Sequence, residues 1–390
     1  MQTASEKGNA ALANKYRPRR LVEVVGQEMV KRYMLNAING DKIHHAYLFS
    51  GPSGTGKTTL ARIFASCVNA DGKPSISPSL EDGTVSRQIV DGTCVDVKEL
   101  DAASNRSIDD IREIRQEIQY APMRARKRFV IIDEAHGLTG AAAEAALKMI
   151  EEPPSHTIFI LCTTEPEKLK DTVFGRCISL NFLKITDDQI AARLTKVCQI
   201  EEMSVDEDAI SYISKSSVGC MRLALQSLEK CYMCIPSANT SLNLDTCISV
   251  LRRPESMLAL NILESIVAKD VQGAMLAVNR ETNRGITPEA IVATLVEQLR
   301  NVMIAKSCAK PSSLLSVTGS EKEAIKRLLP KMSVATVLDI IQAAGEFSRG
   351  AASGMNPAAL LDALVIRSIV VSHRNCNVEK EKSSEGKKES

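Results

Sequence analysis

The chain has 390 residues, enough for two or three domains with hydrophobic cores of their own. Hydrophobic residues make up 44% and charged residues 25%, an ordinary soluble composition, and no apolar run approaches the ~20 residues that span a bilayer. With 49 Lys and Arg against 47 Asp and Glu, the formal net charge of +2 excludes a globally basic nucleic-acid binder and leaves only local basic surface.

Residues 1–12 read as a flexible tail without the apolar stretch of a signal peptide. From 13 to 183, short apolar runs alternate with helical periodicity, the pattern of an α/β domain with a parallel sheet. The spacing predicts strands over 46–50, 95–101, 128–133, 157–163 and 178–182. It predicts helices over 28–40, 57–70, 107–118, 140–151 and 166–172. After 184 the strands stop. Thr186-Asp-Asp-Gln189 is a capping box that opens a helix to about 201, and helices over 206–215 and 219–234 complete a helical lid at 184–245. Helices near 255–267, 270–281, 287–307, 319–328, 333–349 and 356–373 make a second all-helical domain, 246–373. Its segments Met257-Leu-Ala-Leu-Asn-Ile-Leu263 and Ile291-Val-Ala-Thr-Leu-Val296 serve either their own core or neighbouring chains. Residues 374–390, mixed in charge and poor in apolar side chains, are expected to be disordered.

The eleven cysteines are scattered. Several lie inside apolar runs, as Cys162 does, where a thiol acts as a small hydrophobe. A reduced, cytoplasmic location without a disulfide framework is expected. Cys231-x-x-Cys234 has metal-like spacing but no second pair nearby, so no zinc is expected there.

Gly51-Pro-Ser-Gly-Thr-Gly-Lys-Thr58 matches G-x-x-x-x-G-K-[ST] and follows the predicted strand 46–50 directly. Gly51, Pro52, Ser53, Gly54, Thr55 and Gly56 form a loop whose backbone amides can surround phosphate oxygens. Lys57 adds a point charge at the β- and γ-phosphates, the Thr58 hydroxyl can ligate Mg²⁺, and Thr59 continues the helix beside it. ATP and Mg²⁺ are the implied ligands. Phe129-Val-Ile-Ile-Asp-Glu134 is a buried strand ending in two carboxylates, which need a cation or water to face. Asp133 would hold Mg²⁺ through water, and Glu134 would polarise the attacking water. Thr163-Thr164 closes a third strand with a hydroxyl that can reach the γ-phosphate.

Lys15-Tyr-Arg-Pro18, Val24-Val-Gly-Gln-Glu28, His44-His-Ala-Tyr-Leu-Phe-Ser50, the phosphate loop, Asp101-Ala-Ala-Ser104, Asp133-Glu-Ala-His136 and Glu151-Glu-Pro-Pro154 follow one another in order. The array resembles the gamma/tau subunit family of the bacterial DNA polymerase III clamp loader, a relative of the replication factor C small subunits. It covers residues 13–230 strongly and, beyond 250, extends only to length and helicity. The resemblance implies an AAA+ fold: an α/β P-loop ATPase domain, a helical lid and an all-α collar. It also implies an ATP-hydrolysing motor that acts in a pentameric ring of clamp-loader subunits. That motor would open a sliding clamp and load it onto primer–template double-stranded DNA during replication, without a membrane partner. By the same resemblance, Thr164 takes the sensor 1 position, Arg176 in Gly175-Arg-Cys177 is an arginine finger for the neighbouring subunit, and Arg222 in Gly219-Cys-Met-Arg222 is sensor 2. Arg17 would border the adenine.

Two departures from the family stand out. Gly175 replaces a serine beside the finger. The stretch 69–92 has no cysteine where bacterial relatives carry a four-cysteine zinc module, so no zinc is expected there either. The extensions of the longer tau form that bind polymerase and helicase are expected to be missing.

Ser104, Asn105, Arg106 and Ser107 precede a predicted helix, a natural phosphate position, and in the family this segment faces the DNA backbone. Arg124-Ala-Arg-Lys-Arg128 either touches DNA or is a solvated loop. Aromatic residues are 3% of the chain and Trp is absent, which disfavours base stacking and favours phosphate tracking of a duplex. The rival readings are a ring translocase of the branch-migration helicase kind and an inactive structural subunit. The four intact residues Lys57, Thr58, Asp133 and Glu134 speak against the second.

Overall fold

Side chains alternate at period two along the buried strands, so each strand feeds two cores at once. In the computed structural model, which describes residues 11–104, 108–235, 241–251, 254–283, 285–308 and 319–385, the chain divides into two compact units, Met1–Leu251 and Arg252–Ser390.

In the first unit β1 (Ala46–Ser50), β2 (Val97–Asp101), β3 (Arg128–Asp133), β4 (Thr157–Thr163) and β5 (Ile178–Asn181) form one sheet in the order β2-β3-β4-β1-β5, with every pairing parallel. Tyr47, Phe49, Phe129, Ile131 and Ile160 pack on one face with side chains of α2 (Glu28–Asn39) and α3 (Lys57–Val68). Ala46, Leu48, Val130, Ile132 and Phe159 pack on the other face with α5 (Ile108–Glu117) and α6 (Gly140–Glu151). Both faces are covered, which is why these strands read as continuous apolar runs. Phe64 of α3 meets Tyr47 and Phe129 edge-on, with ring centroids 5.2 and 6.3 Å away.

β2 starts two residues later than the pattern predicts. Residues 94–96 form a turn closed by Val97 N–H donating to the Cys94 carbonyl at 3.2 Å. The predicted helix over 166–172 is a single 3₁₀ turn at Pro166–Lys168 and the short α7 (Asp171–Phe174). Leu169 and Lys170 between them are extended, so the two turns do not join.

The cysteine-free stretch 69–92 contains a helix that periodicity does not show, α4 (Val85–Asp91), capped by the Thr84 hydroxyl. Ser66 and Ser86, both buried, donate to each other's carbonyls at 3.2 and 3.1 Å and pin α4 to α3. The Asn69 amide grips both backbone groups of Lys127, at 3.0 and 2.9 Å. Hydroxyl and amide bonds thus do the holding here. Among the described residues, no cluster of three or more His, Cys, Asp or Glu could take a metal.

The lid comprises α8 (Asp187–Ile200), α9 (Glu207–Ser216), α10 (Met221–Met233) and α11 (Leu244–Leu251). The predicted capping box opens α8. Two expected boundaries are corrected. Leu12, at the start of α1 (Leu12–Lys15), is only 5% exposed inside the lid core, so the tail ends before it. Leu242 and Cys247 are fully buried in the same core, so α11 belongs to the lid and the division falls after Leu251, not at 245. Cys231 is buried there too, while Cys234 is exposed, as two ordinary helix-end residues would be.

The second unit contains α12 (Pro254–Ala268), α13 (Val271–Thr282), α14 (Pro288–Ser307), α15 (Gly319–Leu328), α16 (Val334–Ala352) and α17 (Pro357–Glu385). Leu258, Leu260, Ile262, Leu263, Ile291 and Leu295 are buried in its own core, which accounts for the apolar richness of both segments. α17 runs to Glu385 where disorder was expected from 374. Straight-chain Glu and Lys without Gly or Pro sustain a helix even where no apolar face directs it.

Candidate nucleotide site

Strand β1 is buried along its whole length and ends at the carboxyl edge of the sheet, beside β4 and β5. The chain must then turn sharply under Phe182. Gly51 has φ +143°, and a Cβ there would come within 2.3 Å of the Phe182 carbonyl oxygen, so no other residue fits. Gly54 has φ +69° and lies against the lid. A Cβ on it would meet Cys220 Sγ at 2.1 Å, and its carbonyl accepts the Met221 N–H at 3.2 Å. Among the described residues, the backbone amides of Ser53, Gly54 and Gly56 donate to no protein acceptor, which suits a loop that binds an anion.

Lys57 opens α3 and is 6% exposed. Its ammonium donates to the carbonyls of Gly51 at 2.8 Å and Pro52 at 3.0 Å. Burial holds its pKa below the usual lysine value, with Glu134 and Asp133 pulling the other way. Thr55 donates its hydroxyl to the Pro52 carbonyl at 2.8 Å and stiffens the turn. Thr58 donates to Asp133 Oδ2 at 2.7 Å, so the start of α3 and the end of β3 meet at two metal-ligand types. Glu134 follows in the left-handed region, φ +47°, and its Oε2 accepts from the Thr164 hydroxyl at 3.0 Å. These predicted residues converge: Lys57, Thr58, Asp133, Glu134 and Thr164 form one cluster at the carboxyl ends of β1, β3 and β4, the edge where ligands bind open α/β sheets.

A cavity of about 200 Å³ adjoins the loop, walled by Pro18, Val24, Val25, Ile185 and Leu225, with Gly54, Thr55 and Gly56 along one side. Arg17, Arg193 and Arg222 also line it. Arg17 Nε donates to Thr59 Oγ1 at 3.0 Å. Burial first, and then the nearby Arg62 and Arg222 charges, hold the Arg17 pKa down. Arg222, from the lid, also acts to lower the Lys57 pKa, though less than burial does. A partly apolar cavity beside a phosphate loop suits a base.

Sequence reasoning missed Arg193, which donates to the Tyr16 carbonyl at 3.2 Å and stacks over the Tyr16 ring at 6.0 Å. No spacing marks it, because α8 reaches the cavity only through lid packing. It also gave Gln27 no task. This residue, in the left-handed region, donates to the Leu183 carbonyl at 2.7 Å and accepts its N–H at 3.0 Å, tying the start of α2 to the strand-to-lid junction.

Arg176 is not brought to the loop of its own chain. Its guanidinium donates to the Thr172 carbonyl at 2.8 Å and pairs with Glu151 at 2.9 Å. Ser104 donates to Asp101 Oδ2 at 2.7 Å, and Asn105, Arg106 and Ser107 lie outside the described residues. Most of the basic run is spent within the protein. Arg128 is 8% exposed beside Asp96, Lys127 donates to the Ser155 carbonyl at 2.7 Å, and Arg124 reaches the Gly83 carbonyl at 3.4 Å.

The family model described as DNA polymerase III, delta subunit, matches residues 26–186, less than half of the chain. DNA polymerase III subunit tau of Bacillus subtilis (strain 168) is 33% identical over 333 residues, 85% of this chain and 58% of that protein. DNA polymerase III subunit gamma of Buchnera aphidicola subsp. Schizaphis graminum is 31% identical over 317 residues, 81% of this chain and 86% of that one. The chain thus spans under two thirds of the tau relative and most of the gamma relative. The Thermotoga maritima RuvB Holliday junction branch migration motor superposes with a TM-score of 0.48 at 20% identity, covering 65% of this chain and 79% of that one, a likeness too loose to bear on function.

Proposed function

The chain belongs to the DNA polymerase III gamma/tau family, and from that premise we propose that it is an ATP-hydrolysing motor subunit of a DNA sliding-clamp loader. The reading is carried by the 2.7 Å contact of Thr58 with Asp133, made where the phosphate loop, Lys57 and Glu134 meet. A hydroxyl and a carboxylate in this position are the donors that Mg²⁺ takes in P-loop enzymes. Thr58 would hold the ion directly and Asp133 through water, and the ion would neutralise charge on the β- and γ-phosphates.

The chain's own residues account for the rest. Lys57 would exchange the carbonyls of Gly51 and Pro52 for phosphate oxygens, and the loop amides would take the others. Pro18, Val24, Val25, Ile185 and Leu225 would enclose the adenine, with Arg17 and Arg193 at its border. Glu134, oriented by Thr164, would polarise the attacking water. Arg222 would contact the γ-phosphate from the lid. Arg176 would serve the site of a neighbouring subunit, since its partners lie away from its own loop. It would leave Glu151 at small cost, because a pair with 38% and 40% exposure is worth about 0–1 kcal/mol.

In this reading ATP binding orders a ring of five subunits that grips and opens a clamp, and primer–template DNA triggers hydrolysis and release. Ser104–Ser107, before α5, would face the DNA backbone. Among the described residues no helix is long and apolar enough to cross a membrane, and a replication motor would work in the cytoplasm. The ring-translocase alternative has no observation of its own in its favour.

The test is the ATPase rate of the reconstituted loader with and without primed DNA and the cognate clamp, for wild type and Arg176→Ala. Both ligands should stimulate the wild type, and Arg176→Ala should lose on the order of 10³-fold while its own ATP binding persists. If neither ligand stimulates hydrolysis, the clamp-loader assignment fails.

A further inference from the structure

The proposed mechanism leaves His136 without a task, although its imidazole is only 17% exposed and lies against residues at the ends of β3 and β4. It sits on a 3₁₀ turn, Ala135–Gly137, that has little freedom. Glu134 before the turn is left-handed, and Gly137 at its end lies so close to the residue after β2 that a Cβ would come within 2.8 Å of the Ala102 carbonyl oxygen. The turn aims the ring across the end of β4. Nδ1 is 3.0 Å from Thr163 Oγ1 and 3.5 Å from Glu134 Oε2. Nε2 is 3.3 Å from Glu165 Oε1. A carboxylate only accepts, so a ring nitrogen engages Glu134 or Glu165 by donating its proton to that carboxylate. Glu165 is itself held, by Lys168 at 2.5 Å and by its own N–H donating to Thr163 Oγ1 at 3.1 Å.

We propose that His136 is a positioning residue for ATP hydrolysis: the imidazole and Thr164 together confine the Glu134 carboxylate, and Glu165 fixes the imidazole. The inference rests on the ATPase reading of this site. Its physical basis is that a carboxylate just beyond a strand end has no neighbouring strand to set its rotamer. Thr164 donates to Oε2 at 3.0 Å, and His136 Nδ1 stands 3.5 Å from the same oxygen. Oε1 is left to meet a water. The chain of contacts also joins Glu134 to residues 163–168, the segment that leads into α7 and Arg176.

The test compares His136→Ala, His136→Asn and His136→Gln in the full-length chain, assembled with its loader subunits, by steady-state ATPase, and in the chain alone by equilibrium ATP binding. Glu134→Gln is the zero point. Asparagine places an amide near the Nδ1 position and glutamine near Nε2. His136→Ala should lower kcat by on the order of 10- to 100-fold, the scale of a misaligned catalytic group, with KM and ATP affinity within about two-fold. His136→Asn should recover most of the loss and His136→Gln little. Wild-type kcat in His136→Ala, a parallel loss of kcat and ATP binding, or equal recovery by both amides overturns the positioning role while the ATPase reading stands. A wild type no faster than Glu134→Gln overturns that reading and this inference with it.

Discussion

Asp96 shows how much one side chain can decide without touching the nucleotide. It is fully buried and accepts from the amides of Met123, Arg124 and Ala125 at 2.8, 2.8 and 2.9 Å, with Arg128 Nη2 at 3.4 Å. Burial pushes its pKa up, but the amide bonds and Arg128 outweigh that and hold it below the usual aspartate value. A depressed carboxylate pKa contributes stability that is fully present above the unfolded value of about 3.9 and is lost as pH falls through the folded value. Asp96→Ala should therefore cost about 3–5 kcal/mol at pH 7, because it strands Arg128. The difference from wild type should shrink below about pH 4, and urea midpoints at pH 7 and pH 3.5 measure both effects. At the catalytic edge, Glu134→Gln should lower single-turnover hydrolysis by roughly 10²- to 10⁴-fold with ATP affinity kept. Equal losses of binding and rate would give Glu134 a structural task. Pattern reasoning names Asp133 and Glu134 because two carboxylates ending an apolar strand stand out. It passes over Asp96, since its three donors come from a loop some thirty residues away.

The elements follow from periodicity wherever an apolar face is long enough to set a period. β1, β3 and β4 begin and end where the pattern predicts, and α3 and α6 begin on the predicted residues. Phe64→Ala on α3 should cost about 3–5 kcal/mol, since it removes the ring between Tyr47 and Phe129. The reading is a lower urea midpoint at unchanged m-value. Val22→Ser, at an 83% exposed site, should stay within about 0.5 kcal/mol. α4 and α11 escape prediction because seven and eight residues make only about two turns, too few to establish a period. Their stability comes from partners: Ser66 for α4, and the lid core around Cys247 for α11.

The molecule folds as two units, and the nucleotide site lies wholly in the first. A fragment of residues 1–251 should therefore melt cooperatively on its own. ATP at about a hundred times its Kd should stabilise that fragment by about 2.7 kcal/mol, seen as a higher Tm that Lys57→Ala abolishes. No ATP-dependent shift in the fragment would mean that the second unit completes the site. The sequence by itself determined the phosphate loop, the paired carboxylates and the parallel sheet, because each is a local arrangement of residue types along a few turns or strands. It also determined the family. Only the tertiary structure decided that Thr58 meets Asp133, that Thr164 and His136 flank Glu134, and that Arg193 and Arg222 close the cavity from the lid. Those contacts join residues up to some two hundred positions apart, and nothing local encodes which strand ends and which lid helix will come to lie side by side.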